Sequence, residues 1–160
     1  MADKITTVLW FDHVGEEAAN FYCSLGLPDS HVDRVIRSPG DNPSGKEGDV
    51  LVIDFTLDGR KYSALNGGDM FKPNESVSFM IVTEDQAETD RLWNAITGNG
   101  GQESVCGWCK DKWGYSWQIT PRVLLESMTN PDRDAARRAH EAMMKMKKID
   151  VAAIEAAIAG

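Results

Sequence analysis

The chain opens on a β-branched and aromatic run, Ile5-Thr6-Thr7-Val8-Leu9-Trp10-Phe11, which predicts a strand. Gly15 to Leu25 changes period, with Ala18, Phe21 or Tyr22, and Leu25 on one helical face and Gly26 as a C-terminal stop. Val32–Ile36 reads as a second strand. Ser38–Gly48, with two prolines and three glycines, reads as a polar loop. Val50–Leu57 and Lys61–Leu65 read as two further strands, joined by Asp58-Gly59 as a two-residue hairpin turn.

The same order then returns. Val77–Val82 predicts a strand, and Thr83-Glu84-Asp85-Gln86 predicts a capping box, in which the Thr hydroxyl and Gln amide satisfy each other's orphan backbone donors. The helix after it carries Leu92, Trp93 and Ile96 and ends near Gly98–Gly101. Short strands are expected at Glu103–Cys106, Trp108–Lys110 and Tyr115–Thr120. A strand, a helix and three strands thus occur twice, about 70 residues apart, which predicts two similar modules. The modules are expected at residues 1–68 and 76–120, with 121–160 a helical extension. In that extension, Asn130-Pro131-Asp132 is a helix start, Ala135, Ala139, Met143 and Met146 form a packing stripe open to use on a second copy of the chain, and Asp150 caps a last helix. Lys145, Lys147 and Lys148 are expected to complement a helix C-terminus.

Composition narrows the class. With 160 residues, 42 % hydrophobic and 26 % charged, the chain is long enough for a folded core without metal or disulfide staples. The net charge of −8 repels phosphate backbones, so no nucleic-acid partner is expected. No apolar run approaches the ~20 residues of a membrane span, so no membrane partner is expected either. The start, Met1-Ala2-Asp3-Lys4, lacks the pattern of a secretory leader, and the expected location is cytoplasmic. Three cysteines cannot all pair within one chain and are read as thiols.

Candidate chemistry is sparse. Cys106-Gly107-Trp108-Cys109 has redox spacing, but it falls among strands, where residues three apart face opposite ways. It is read as structural or pocket-lining. His13, His31 and His140 are dispersed and read as solvated. Asn66-Gly67-Gly68-Asp69 follows a strand without opening a helix, so it fits neither phosphate loop nor dinucleotide fingerprint. The stretch Asn66–Glu75 is a candidate pocket rim or an inter-module linker. Trp10, Trp108, Trp113, Tyr115 and Trp117 are pocket wall or core, with Lys110 and Gln118 as polar anchors if they form a wall.

Several segments in order, Phe21-Tyr22, Ala64-Leu65-Asn66-Gly67-Gly68, Asn74-Glu75-Ser76-Val77-Ser78-Phe79, Cys106-Gly107-Trp108-Cys109-Lys110-Asp111 and Gly114-Tyr115-Ser116-Trp117-Gln118-Ile119, resemble the PhnB-like family. Its members often carry the label 3-demethylubiquinone-9 3-methyltransferase, within the vicinal oxygen chelate superfamily. The resemblance spans about residues 5–120. It implies an α+β fold of two βαβββ modules forming a cupped mixed sheet, and a homodimer with a small-molecule cavity in each cup. Metal-using relatives carry His or Glu at four strand positions, which fall here near Thr7, within Tyr62–Leu65, and at Ser78 and Gln118. None is a carboxylate or imidazole, so a divalent metal, if used, would be held weakly.

The expected function is binding of a small apolar or oxygenated molecule by Trp10, Trp108 and Trp117, oriented by Asn66, Ser78 and Gln118, without a tight metal. No S-adenosylmethionine site is visible. The alternative is a metal- or thiol-assisted lyase, isomerase or dioxygenase, with Cys106 or Cys109 as nucleophile or Glu75 as base.

Overall fold

The structure, a computed structural model, describes residues 4–160; residues 1–3, on which the reading of the chain start rests, lie outside the described residues. The chain divides into two compact units, one ending at Lys72 and the other beginning at Pro73. Among the described residues, no helix is long and apolar enough to cross a membrane.

The first unit runs β1 (Thr7–Phe11), α1 (Gly15–Cys23), β2 (His31–Arg37), β3 (Val50–Leu57) and β4 (Arg60–Asn66). Its four-stranded sheet has the order β1-β4-β3-β2, with β1 parallel to β4 and the other pairs antiparallel. Asp58 and Gly59 both take positive φ, 49° and 71°, as a two-residue turn of the right twist demands. Alternation sends Leu9, Phe11, Ile53, Phe55 and Ala64 to one face, where Ala18, Ala19 and Tyr22 of α1 complete a core. Trp10, Asp54 and Ser63 go to the opposite, open face.

The second unit repeats this plan. It runs β5 (Ser78–Thr83), α2 (Gln86–Gly98), β6 (Gln102–Glu103), β7 (Trp108–Lys110) and β8 (Ser116–Pro121), with strand order β5-β8-β7-β6. β5 is parallel to β8, as β1 is to β4. Trp117, Ile119 and Cys109 pack under Leu92, Trp93 and Ile96 of α2. Ser78, Met80, Ser116, Gln118, Trp108 and Lys110 have the other parity and face the open side.

Three local expectations are corrected. The N-cap of α2 is Asp85, whose side chain accepts from Glu88 N at 2.8 Å, while Glu88 Oε2 accepts from Glu84 N at 2.9 Å. Thr83 is the last strand residue, so its hydroxyl faces Thr89 Oγ1 at 2.6 Å and cannot cap. Cys106 is not in a strand. It lies in a turn at φ 58°, followed by Gly107 at φ 81°. Finally, the helix that begins at Arg133 ends at Met143, so the three lysines follow it, and two of them pair elsewhere: Lys147 with Glu103 at 3.4 Å and Lys148 with Asp90 at 2.6 Å.

Residues beyond Pro121 form α3 (Arg122–Ser127), α4 (Arg133–Met143) and α5 (Val151–Ala159). Within the helix start Asn130-Pro131-Asp132, the capping residue of α4 is Asp132, and the Asn130 side chain accepts from Asp132 N at 2.9 Å; Asp150 caps α5 as expected. Leu124, Ala139, Ile149 and Ile154 make a small core of their own, joined by Met143 and Met146. The stripe therefore packs within the chain. Gln86 ties this core to α2, donating to Ile149 O at 3.1 Å and accepting from Val151 N at 2.7 Å.

Candidate functional site

The second unit carries a cleft of about 290 Å³ on the open side of its sheet. Trp108 and Lys110 come from β7 and Ser116 from β8, while Ser104, Val105 and Cys106 form the turn before β7. Glu75 reaches in from the turn before β5, and Cys109 completes the lining. That β6–β7 turn is not free-standing. Cys106 N donates to Met146 O at 2.8 Å and Gly107 N to Lys147 O at 2.7 Å, so the linker between α4 and α5 straps it. Cys106 Sγ lies 3.7 Å from Met144 Sδ.

Ser116 is 1 % exposed, and its Oγ has no hydrogen-bond partner among the described residues. A buried hydroxyl left unpaired costs about 1–3 kcal/mol. Register places it between Ser78 on β5 and Lys110 on β7. Ser78 Oγ accepts from Gln118 Nε2 at 2.8 Å. The Lys110 ammonium is paired with the Glu75 carboxylate, which holds Glu75 below the usual carboxylate range. Burial, and then the negative charge of Asp111, push the Cys109 thiol up to about 12. Cys109 is a core thiol, not a ready nucleophile.

The remaining candidates fall elsewhere. Trp117 is 1 % exposed, in the core beneath α2, with Nε1 donating to Asp111 Oδ2 at 2.9 Å. Asn66 belongs to the first unit and spends its amide on the fold: Oδ1 accepts from Gly15 N at 2.9 Å and Nδ2 donates to Val50 O at 2.9 Å. Trp10, also in the first unit, donates from Nε1 to Gly68 O at 2.7 Å and meets Phe71 edge-on, with centroids 4.9 Å apart. The structure therefore gathers Trp108, Cys106, Cys109 and Glu75 at one cleft, with Ser78 and Gln118 on the same sheet face. Ser116 was missed as a site residue. Its signal was available, since it lies two positions before Gln118 in a strand and so shares its face.

Two implied groups were tested against these side chains. For metal, Thr7 has the parity of Leu9 and Phe11, on the helix-covered face, so the open-face residue of β1 is Val8. The open-face set is then Val8, Ser63 or Leu65, Ser78 and Gln118, poor donors for a divalent ion. Asp54, beside Ser63, is already bound to Arg34 at 2.6 Å. Among the described residues, no three His, Cys, Asp or Glu side chains are grouped as a metal site. For S-adenosylmethionine, the one glycine pair after a strand has another use. A Cβ on Gly67 would lie 2.3 Å from the Trp10 ring, and Gly67 N is already bonded to Phe11 O and Leu65 O. These residues do not fit either group.

Comparison with known proteins agrees with the fold. Residues 3–120 match the family described as 3-demethylubiquinone-9 3-methyltransferase. A putative 3-demethylubiquinone-9 3-methyltransferase, PhnB protein, from Bacillus cereus is 31 % identical, with TM-score 0.65, over 74 % of this chain and 99 % of that one. Protein PA1353 from Pseudomonas aeruginosa is 19 % identical, with TM-score 0.58, over 75 % and 98 %. A lactoylglutathione lyase from Agrobacterium tumefaciens is 13 % identical, with TM-score 0.41, over 76 % and 95 %. No protein of curated function matches. Two mixed four-stranded sheets, each built in βαβββ order, define an α+β protein of two repeated modules. The chain belongs to the PhnB-like family described as 3-demethylubiquinone-9 3-methyltransferase. The family match ends at residue 120, before α3.

Proposed function

We propose that this chain binds a small apolar or oxygenated molecule in the cleft of its second unit, without a tightly held metal, as a cytoplasmic homodimer. The cleft itself carries the reading. Its volume of about 290 Å³ suits a small ligand, and Trp108 and Val105 give it an apolar wall beside a few polar groups. Catalysis by Cys109 or Glu75 has less support, because Cys109 stays protonated at neutral pH and Glu75 is held as a weak base by Lys110. Metal-free binding is supported by the donor chemistry of Ser78, Gln118 and their counterparts. The methyltransferase description belongs to the family and is not carried over as an activity. Exposed Val8 and Met80 on the open faces support a homodimer, and three free cysteines support a reducing compartment.

The test has two parts. Elemental mass spectrometry on protein never exposed to chelator is expected to find metal far below one per chain. Near-stoichiometric zinc, nickel, manganese or iron overturns the metal-free reading. Thermal unfolding against a panel of small aromatic compounds is expected to raise Tm with some of them, and Trp108→Ala to remove the rise. A Tm indifferent to every compound overturns the binding reading.

A further inference from the structure

Three side chains in the cleft have unequal claims on one another. The Ser116 hydroxyl is buried at the cleft with no partner among the described residues. Its neighbour across the sheet, Lys110, has a side chain one-third exposed and offers three N–H donors. The partner of Lys110 is the carboxylate of Glu75, which lies outside any strand with its side chain 63 % exposed. A carboxylate in water is a weak holder of an ammonium at a cleft, and the described residues supply no acceptor for Ser116. Trp108 and Val105 offer an apolar surface beside this polar pair.

We infer that the cleft selects small flat apolar molecules bearing a carboxylate. The carboxylate accepts from Ser116 Oγ and Lys110 Nζ, displacing Glu75, and the apolar body lies along Trp108 and Val105. Glu75 is then an internal stand-in for the ligand's acid group, keeping Lys110 neutralised while the cleft is free. A neutral carbonyl would satisfy Ser116 alone, whereas an acid gains charge-assisted bonds to both. Selection of acids is not a default for this chain, whose net charge of −8 repels them. The inference rests on the cleft being a ligand site, as proposed above.

Calorimetric titration with benzoate, phenylacetate and 2-naphthoate, each beside its primary amide, separates the two claims. The acids are expected to bind about tenfold tighter than the amides. Lys110→Met, which keeps the apolar stem, is expected to bring that ratio close to one. Glu75→Gln removes the competitor and is expected to tighten the acids severalfold while leaving the amides unchanged. Ser116→Ala is expected to weaken the acids about tenfold, with Tm unchanged or raised because an unpaired buried hydroxyl is gone. Acids and amides binding equally overturn the inference and leave the cleft as a ligand site. So does Ser116→Ala without effect on the acids, which would mean that water serves the hydroxyl, or Glu75→Gln weakening them. No binding by any member of the series overturns the ligand site and the inference together.

Discussion

Asp111 Oδ2 accepts the indole N–H of Trp117 at 2.9 Å, and this one bond closes a hairpin from its inside. The other oxygen, Oδ1, accepts from Trp113 N and Tyr115 N, both at 3.0 Å, and the backbone of Asp111 pairs with Tyr115 and Gly114. A carboxylate that is 3 % exposed thus organises the whole β7–β8 turn. The Asp-x-x-Gly-Tyr-x-Trp pattern is an architectural motif; the cleft residue Lys110 immediately precedes it, and Ser116 fills its variable position before Trp117.

Asp111→Asn is expected to keep the Oδ1 bonds but to set an amide N–H against the Trp117 N–H. Loss of about 2–3 kcal/mol should follow, read as a lower urea midpoint, with Asp111→Ala costing more. A midpoint unchanged in both variants would remove Asp111 from this role.

The first unit makes a matching prediction. Asn66→Ala frees Gly15 N at the start of α1 and Val50 O, and is expected to cost about 2 kcal/mol. Gly67→Ala drives a methyl into the Trp10 ring and is expected to destabilise by about 1–3 kcal/mol, with a change in Trp emission.

Much of the architecture was legible in the sequence. Asp58-Gly59 announced its hairpin, Val50–Leu57 and Trp108–Lys110 were bounded to the residue, and the doubled order of elements matched the observed strand orders. Side-chain destination was less legible, because it depends on parity across strands that are distant in sequence. Trp117 and Gln118 are consecutive in β8 and must face opposite sides, so they cannot share a pocket. Near Thr7, likewise, only pairing with β4 tells that Val8 is the residue on the open face. Cys106 was taken for a strand residue because nothing local announces the strap from Met146 and Lys147, whose bonds hold its turn.

Cys109 predicts a pH dependence. Its folded pKa, about 12, lies above the ordinary thiol value of 9.0, so the unfolded chain loses this proton first. The stabilising contribution is complete below pH 9 and declines as pH rises toward 12, by about 1.4 kcal/mol per pH unit. Denaturant midpoints measured from about pH 8.5 to about pH 11 should fall less steeply in Cys109→Ala. Iodoacetamide at neutral pH is expected to label Cys106 and leave Cys109 unmodified, as read by peptide mass.

The strap gives a fourth prediction. Ile149 is fully buried beside Gly107, whose Cβ position lies 3.1 Å from Ile149 Cγ1. Ile149→Ala is expected to cost about 2–4 kcal/mol. Limited proteolysis is then expected to cut near Val105 and Cys106 faster than in the wild-type chain, whose strap holds this turn.

The strap also bears on how the protein is born. As the chain emerges from the ribosome, β1 to β4 and α1 need only residues up to Asn66 to pair, so the first unit is free to fold while synthesis continues. Cys106 and Gly107 find their backbone acceptors only when Met146 and Lys147 have been made. One wall of the cleft is therefore a late product of translation, and a nascent chain stalled in α4 has made every strand of both sheets yet still lacks the acceptors that hold this wall in place.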